Sequence, residues 1–517
     1  MAAPERRVLV IGAGPAGLSC GYRLAQAGTP VAVYEASPFV GGLCRSLDLW
    51  GRRVDLGPHR FFSTSPMVNA FWKEIVGPDH TLVDRLTRIY YGGRFFHYPL
   101  RPLNVVANLN PLLGLAAVGS YARQRLRPIP DPQSLEEWVT NRFGRRLFRM
   151  FFQTYTEKVW GIPCSRIDPD WAAQRIKGLS LGKAIRNALL AGFGNRERTL
   201  VDRFGYPDGG TGRVYERLAD GIRRHGGSVH VSSPIREVML DAAGRVSGIR
   251  LATGETVPGT TVVSTMPLTS LILGLRTTPP DVRAAAATLY YRNTILVYLD
   301  VDHDALFPDN WIYVHAPEVL HGRITNFRNW GPSLRGDART TILCMEYWCF
   351  ERDELWQRDD AALAALAETE LRRIRLVPPG VRVLAHHVVK IPKSYPVYEQ
   401  GYGDHVKRIA AFVERIPGLL PIGRYGSFKY NNQDHSMLMG LLAAREILTG
   451  RSEDLWNVNA DDRYQEQGAA LDAAEAALEE ATAVLATAPA PTRARAAALA
   501  RLGAAFLRRG RPPAPAR

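Results

Sequence analysis

Six polar residues stand in a row near the end of the chain: Tyr430, Asn431, Asn432, Gln433, Asp434 and His435, just before the run that begins at Met437. A core-facing helix start needs one capping residue and an acid or two. A hydroxyl, three amides, a carboxylate and an imidazole between a glycine turn and an apolar run are too polar a cluster for that, and suit a bound cofactor instead. More than 400 residues earlier the chain offers a second such place, Gly12-Ala13-Gly14-Pro15-Ala16-Gly17. Here Gly12 permits the tight turn, Gly14 lets backbone approach a pyrophosphate, and Gly17 lets helix and strand pack closely. Glu35 follows at the distance where a carboxylate takes a ribose hydroxyl pair. The two ends of the chain are expected to meet on one dinucleotide.

The elements around these residues follow from pattern. Arg7 to Ile11 reads as a strand, the segment through Leu18, Tyr22, Leu24 and Ala25 as a helix, and Val31 to Tyr34 as a second strand. Tyr90 to Pro99 reads as a hairpin about Gly92-Gly93. From Leu103 to Glu197 the apolar spacing is helical, with Ser134 as a cap and Phe148, Phe151, Phe152 and Tyr155 on a later helix. Ser228 to Val231, Ile235 to Val238, Val246 to Leu251 and Val262 to Thr265 read as strands, as do Ile295 to Leu299 and Thr341 to Glu346 in the next region. The expected fold is α/β: a Rossmann-like nucleotide domain in three pieces (1–100, 201–270, 401–450), a helical insertion (101–200), a sheet-based substrate domain (271–400) and an Ala/Arg-rich helical tail (451–517).

Composition narrows the function. With 46% apolar and 22% charged residues the chain reads as globular. Its five cysteines form no CxxC pair, which argues against a disulfide framework and structural zinc, and no metal site is expected. The net charge of +15 comes from scattered arginines without a nucleic-acid-binding motif, so an anionic cofactor and substrate are the expected partners. No apolar run reaches the roughly 18–20 residues of a spanning helix. The chain reads as cytoplasmic, with homo-oligomerisation through the tail an open option.

The Glu35-ended strand followed by Gly41, Gly42 and Arg45 resembles FAD-binding proteins of the glutathione-reductase and amine-oxidase type. Within that group the chain resembles the UDP-galactopyranose mutase family, above all its eukaryotic branch. The motifs are NQDHS at 432–436, KVWGIP at 158–163, WAAQR at 171–175, GRITNFRNW at 322–330 and KSYPVY at 393–398. The resemblance implies that FAD is bound by Gly12, Gly14, Gly17, Glu35, Gly42, Arg45, His59, Val238, Gly423, Arg424 and Asp434. It implies substrate contacts from Trp160, Arg175, Arg323, Trp330, Tyr395 and Tyr430, with Trp330 standing where the family has tyrosine. Catalysis would rest on Arg175, Arg323, His59, Tyr395 and Tyr430.

The implied reaction is a pyranose–furanose isomerisation of a nucleotide-diphosphate sugar. Reduced FAD attacks the anomeric carbon through N5, forms a covalent sugar adduct, and ends the cycle reduced, so no net redox occurs. Two arginines and tyrosine hydroxyls stabilise the departing diphosphate. The alternative is a redox enzyme of the amine oxidase or protoporphyrinogen oxidase type, acting on apolar or amine substrates. A third option is a flavin-fold scaffold that uses its basic tail as a contact surface. Nothing in the sequence selects the sugar or the nucleotide.

Overall fold

The computed structural model describes residues 7–98, 108, 111–171 and 203–459. Arg175 and the Ala/Arg-rich tail beyond 459 lie outside the described residues.

Five short strands form one wholly parallel sheet in the order Leu419–Pro421, Thr261–Ser264, Val8–Ile11, Val31–Tyr34, Ser228–His230. Val8–Ile11 and Val31–Tyr34 are buried at every position, which their unbroken apolar sequences allow because helices cover both faces of such a sheet. Between them runs the helix Pro15–Gln26, opened by a proline whose missing N–H costs nothing in the first turn. The helix Gln433–Thr449 packs across it. Gly440 makes the crossing possible, since a Cβ there would run into the carbonyl of Ala16. The first and last helices of the core are therefore in contact, as the sequence implied.

The second large sheet has seven strands, ordered Val383–Pro396, Tyr291–Val301, Thr341–Cys349, Arg323–Asn326, Trp311–Val314, Thr87–Tyr91, Arg94–His97. All neighbours are antiparallel except Trp311–Val314 and Thr87–Tyr91. The expected hairpin at 90–99 thus becomes the edge of this sheet. Tyr291–Val301 and Thr341–Cys349 are buried throughout and form its spine. A smaller antiparallel sheet joins Ile235–Leu240, Val246–Leu251 and Thr256–Pro258.

Helices Pro111–Leu126, Leu135–Phe143 and Thr154–Trp160 lie in the expected helical stretch, and Ser134 caps the second through Glu137 N–H. The aromatic helix read over 148–155 is not continuous. A π-helical turn at Arg149–Gln153 interrupts it, adding a residue to the ladder just before Tyr155. Among the described residues no helix is long and apolar enough to cross a membrane.

Candidate functional site

The glycine turn and the Gly41-Gly42 turn meet face to face. Gly41 N–H donates to Ala13 O at 2.8 Å, and a Cβ on Gly42 would stand 3.2 Å from Gly14 Cα. Gly12 has φ +96° and no room for a side chain beside Thr265 Oγ1, and a Cβ on Gly17 would strike Gly12 O. Glu35 accepts from Ala13 N–H at 2.7 Å and Ser37 N–H at 2.9 Å, which aims its carboxylate at the turn and leaves lone pairs for hydroxyls. Arg45 Nε and His59 Nδ1 are buried and have no hydrogen-bond partner among the described residues. A bare backbone trough with an acid at one end fits a flavin dinucleotide.

The polar block at 430–435 closes the cradle from the other chain end. Asn432 caps the helix Gln433–Thr449 and its N–H donates to His435 Nδ1 at 3.2 Å, so this step is a capping device. Gln433 accepts from Tyr215 Oη at 2.8 Å and donates to the carbonyls of His59 (3.2 Å) and Arg60 (2.8 Å). Its task is to hold the His59 loop. Thr211 Oγ1 donates to the same His59 carbonyl at 2.8 Å, and Asp55 in turn accepts from Thr211 N–H at 3.0 Å. Asp434 is buried in the first helical turn, 3.5 Å from His435 Nδ1. Gly423, at φ +79°, presses on Ala16.

Aromatic side chains and arginines gather around Tyr395 and Tyr430. Tyr395 and Tyr430 stack at 5.2 Å, and the Arg424 guanidinium lies 4.6 Å and 4.2 Å from their ring centres. Arg424 is fixed by Ser394 O (2.9 Å) and Asn431 O (3.2 Å). Trp160 is buried between Tyr395, Tyr398, Tyr430 and Trp171, its ring centre 5.3–6.1 Å from theirs. Arg323 holds Glu346 through Nε (2.6 Å) and Nη2 (2.5 Å), and no acceptor among the described residues is paired with its Nη1. Burial, then the charges of Arg323 and Arg424, bring His59 down to about 3, so its ring is neutral at physiological pH. Burial raises the Tyr395 hydroxyl above its ordinary range, with Arg323 and Arg424 opposing.

The structure thus brings His59, Trp160, Arg323, Tyr395, Arg424 and Tyr430 together. One expected member stands elsewhere. Trp330 is wholly buried among Phe204, Tyr206, Trp311 and Phe327, and donates its indole N–H to Asn310 O at 3.0 Å. It is a core residue and lines no pocket with the tyrosines. Val238, expected on the adenosine side of the cofactor, buries its side chain in the apolar core that also holds Leu9, Ile11 and Tyr34 of the parallel sheet. Three pocket residues went unread: Glu346, Tyr155 and Tyr313. Tyr155 feels the charge of Arg323 and the hydroxyls of Tyr313, Tyr395 and Tyr430, and its ring stacks on His315 at 4.8 Å. Sequence spacing puts Tyr155 on an aromatic helix face, and the π-turn that ends two residues before it is seen only in the structure.

Known proteins fit this geometry at two levels. A family model described as flavin containing amine oxidoreductase matches residues 15–448. A crystal structure of reduced UDP-galactopyranose mutase superposes with a TM-score of 0.77 at 23% identity, covering 88% of this chain and 98% of that one. By sequence, 15-cis-phytoene desaturase of Synechococcus elongatus is 24% identical over 86% of this chain and 97% of its own. Hydroxysqualene dehydroxylase of Sinorhizobium fredii is 27% identical over 46% of this chain, a match that spans only 55% of that protein.

Proposed function

From the premise that the chain belongs to the flavin containing amine oxidoreductase family, we propose that this flavin-dependent enzyme is an isomerase, a pyranose–furanose mutase acting on a nucleotide-diphosphate sugar. The observation that carries the reading is the convergence of Arg323 and Arg424 with Tyr155, Tyr395 and Tyr430 beside the His59 loop. A polyene or a squalene derivative gains nothing from the Arg323 guanidinium, whereas a diphosphate is what such a group selects; Arg424 is the cofactor's arginine by the resemblance. FAD in its reduced form supplies the nucleophile when bound.

The residues of the chain do the rest. Arg323, oriented by Glu346, offers Nη1 to a phosphate oxygen, and the tyrosine hydroxyls donate hydrogen bonds that strengthen as charge gathers on the leaving diphosphate. His59 stays neutral, so it lends a hydrogen bond beside the cofactor without competing for the anion. Trp160 walls the sugar space. Arg175, outside the described residues, is the second diphosphate arginine by the resemblance of its WAAQR motif.

A second reading rests on the full-length similarity to phytoene desaturase: an oxidoreductase for an apolar substrate. One experiment separates them. Anaerobic, dithionite-reduced protein is mixed with a panel of nucleotide sugars and the products are resolved by chromatography. Furanose isomers formed only by reduced protein support the mutase. No isomer from any sugar, with flavin reduction by an apolar substrate instead, establishes the redox reading in its place.

A further inference from the structure

Lys158 sits on the helix Thr154–Trp160, between the pocket residues Tyr155 and Trp160. Its Nζ donates to three main-chain carbonyls, Val314 (3.2 Å), Ala316 (2.7 Å) and His321 (3.1 Å). Those three bonds use every proton an ammonium has. Val314 ends the strand Trp311–Val314, and Ala316 and His321 lie in its connection to Arg323–Asn326, so the cation grips the chain just before Arg323. An anion holds the same connection from the other side. Glu370, buried on the helix Asp360–Arg373, accepts from Leu320 N–H (2.5 Å), His321 N–H (3.3 Å), His321 Nδ1 (2.6 Å) and Tyr347 Oη (3.1 Å). Tyr347 follows Glu346, the partner of Arg323. The connection is clamped by its carbonyls to a cation and by its amides to an anion.

We propose that Lys158 is a positioning residue for the anion subsite: its ammonium fixes the 314–321 connection and with it the placing of Arg323 against Tyr155 and Trp160. The proposal rests on the diphosphate reading of that site. The groups facing Lys158 are Glu370 on its helix, Glu318, His315 and His321 on the clamped connection, and Arg292, which donates to the Lys158 carbonyl at 3.2 Å. Burial lowers the lysine to about 8, with Glu370 and Glu318 opposing. One of the three bonds is therefore lost on passing through mildly alkaline pH, and nucleotide affinity falls with it.

The test uses the full-length, FAD-loaded protein, with UDP as the probe. Equilibrium binding is measured between about pH 6.5 and 9.5 on wild type, K158M and K158Q, and hydrogen exchange of residues 314–323 is followed in parallel, corrected for intrinsic rates. Wild type is expected to lose affinity several-fold through about pH 8, while K158M binds roughly tenfold more weakly at neutral pH and shows no such inflection. In turnover kcat falls together with kcat/KM, because Arg323 also stabilises the departing diphosphate, and FAD content is unchanged. K158Q, which keeps two donors, lies between and serves where K158M does not fold. Affinity equal to wild type, or an inflection retained in both variants, overturns the proposal. If wild type binds no nucleoside diphosphate, the diphosphate reading fails and exchange decides the clamp alone. Loosening of 314–323 above about pH 8 in wild type, and at every pH in the variants, upholds it, and unchanged protection overturns it.

Discussion

Arg323 and Glu346 face each other across two strands and share a fork of two hydrogen bonds inside the protein. Deleting one partner of such a pair costs about 3–5 kcal/mol of stability, so an alanine variant confounds binding with folding. Arg323→Lys is the cleaner test, because the charge stays and the fork is lost. It should weaken nucleoside diphosphate binding by about 1.5–3 kcal/mol and leave FAD content as it was, read by titration calorimetry and flavin absorbance. Full affinity in that variant would remove Arg323 from the site. Trp330→Phe should behave in the opposite way. Losing the indole bond to Asn310 and some buried area costs about 1–3 kcal/mol of stability with no change in nucleotide affinity. Arg323 was legible through the resemblance alone, because GRITNFRNW falls where the family places a diphosphate arginine, while Arg328 in the same motif is spent on the carbonyls of Ala338 and Thr340. Glu346 was not, since an acid within TILCMEYWC gains its meaning only from register with a strand about twenty residues away.

At the scale of elements, the pocket depends on how the helix Thr154–Trp160 ends. Gly161 takes the left-handed conformation at φ +68°, and the space a Cβ would fill is occupied by the Arg292 guanidinium. That group donates to the carbonyls of Lys158 (3.2 Å), Val159 (3.4 Å) and Trp348 (2.6 Å), satisfying the helix end and tying it to the large sheet. Gly161→Ala should cost at least about 1–2 kcal/mol from backbone conformation alone, and more because the guanidinium must leave. The expected readouts are a lower urea midpoint and a weakened near-ultraviolet circular dichroism signal from the Trp160 cluster. An unchanged midpoint would mean that Arg292 does not hold this end. In the sequence KVWGIP stood only as a motif of the resemblance, and the glycine stop after Trp160 is a finding of the structure. Nor could the sequence announce the plug, because Arg292 lies 131 residues further on and looks like any strand arginine.

The whole molecule is organised by contacts between distant pieces, and their legibility varied. The contact of first and last helices was implied by two ligand-binding stretches that need one ligand. The seven-stranded order was not, because the parallel pairing of Thr87–Tyr91 with Trp311–Val314 has no local signature. Burial on this scale also sets an acid limit. His59 and His315 are both lowered to about 3, by burial first and by neighbouring cations second, against about 6.5 in the unfolded chain. A depressed histidine contributes stability that is present above the unfolded value and lost as pH falls from about 6.5 toward 3. Asp55 acts in the opposite sense. Burial lifts it to about 6, so its contribution is full below about 3.8 and is lost as pH rises through 6. Between pH 7 and 5 the unfolded state gains about 2 kcal/mol from each histidine, and the fold recovers about 1 from Asp55. The net expectation is a loss of about 2–3 kcal/mol, seen as a lower urea midpoint at pH 5 in flavin-free protein, where ligand binding does not offset it. His315→Phe, which keeps the stacked ring beside Tyr155 and removes one titrating group, should recover close to 2 kcal/mol of the pH-dependent part. Equal midpoints at pH 7 and 5 would mean that these imidazoles take up protons in the folded state, and His59 would then lose its role as a neutral neighbour of the arginines.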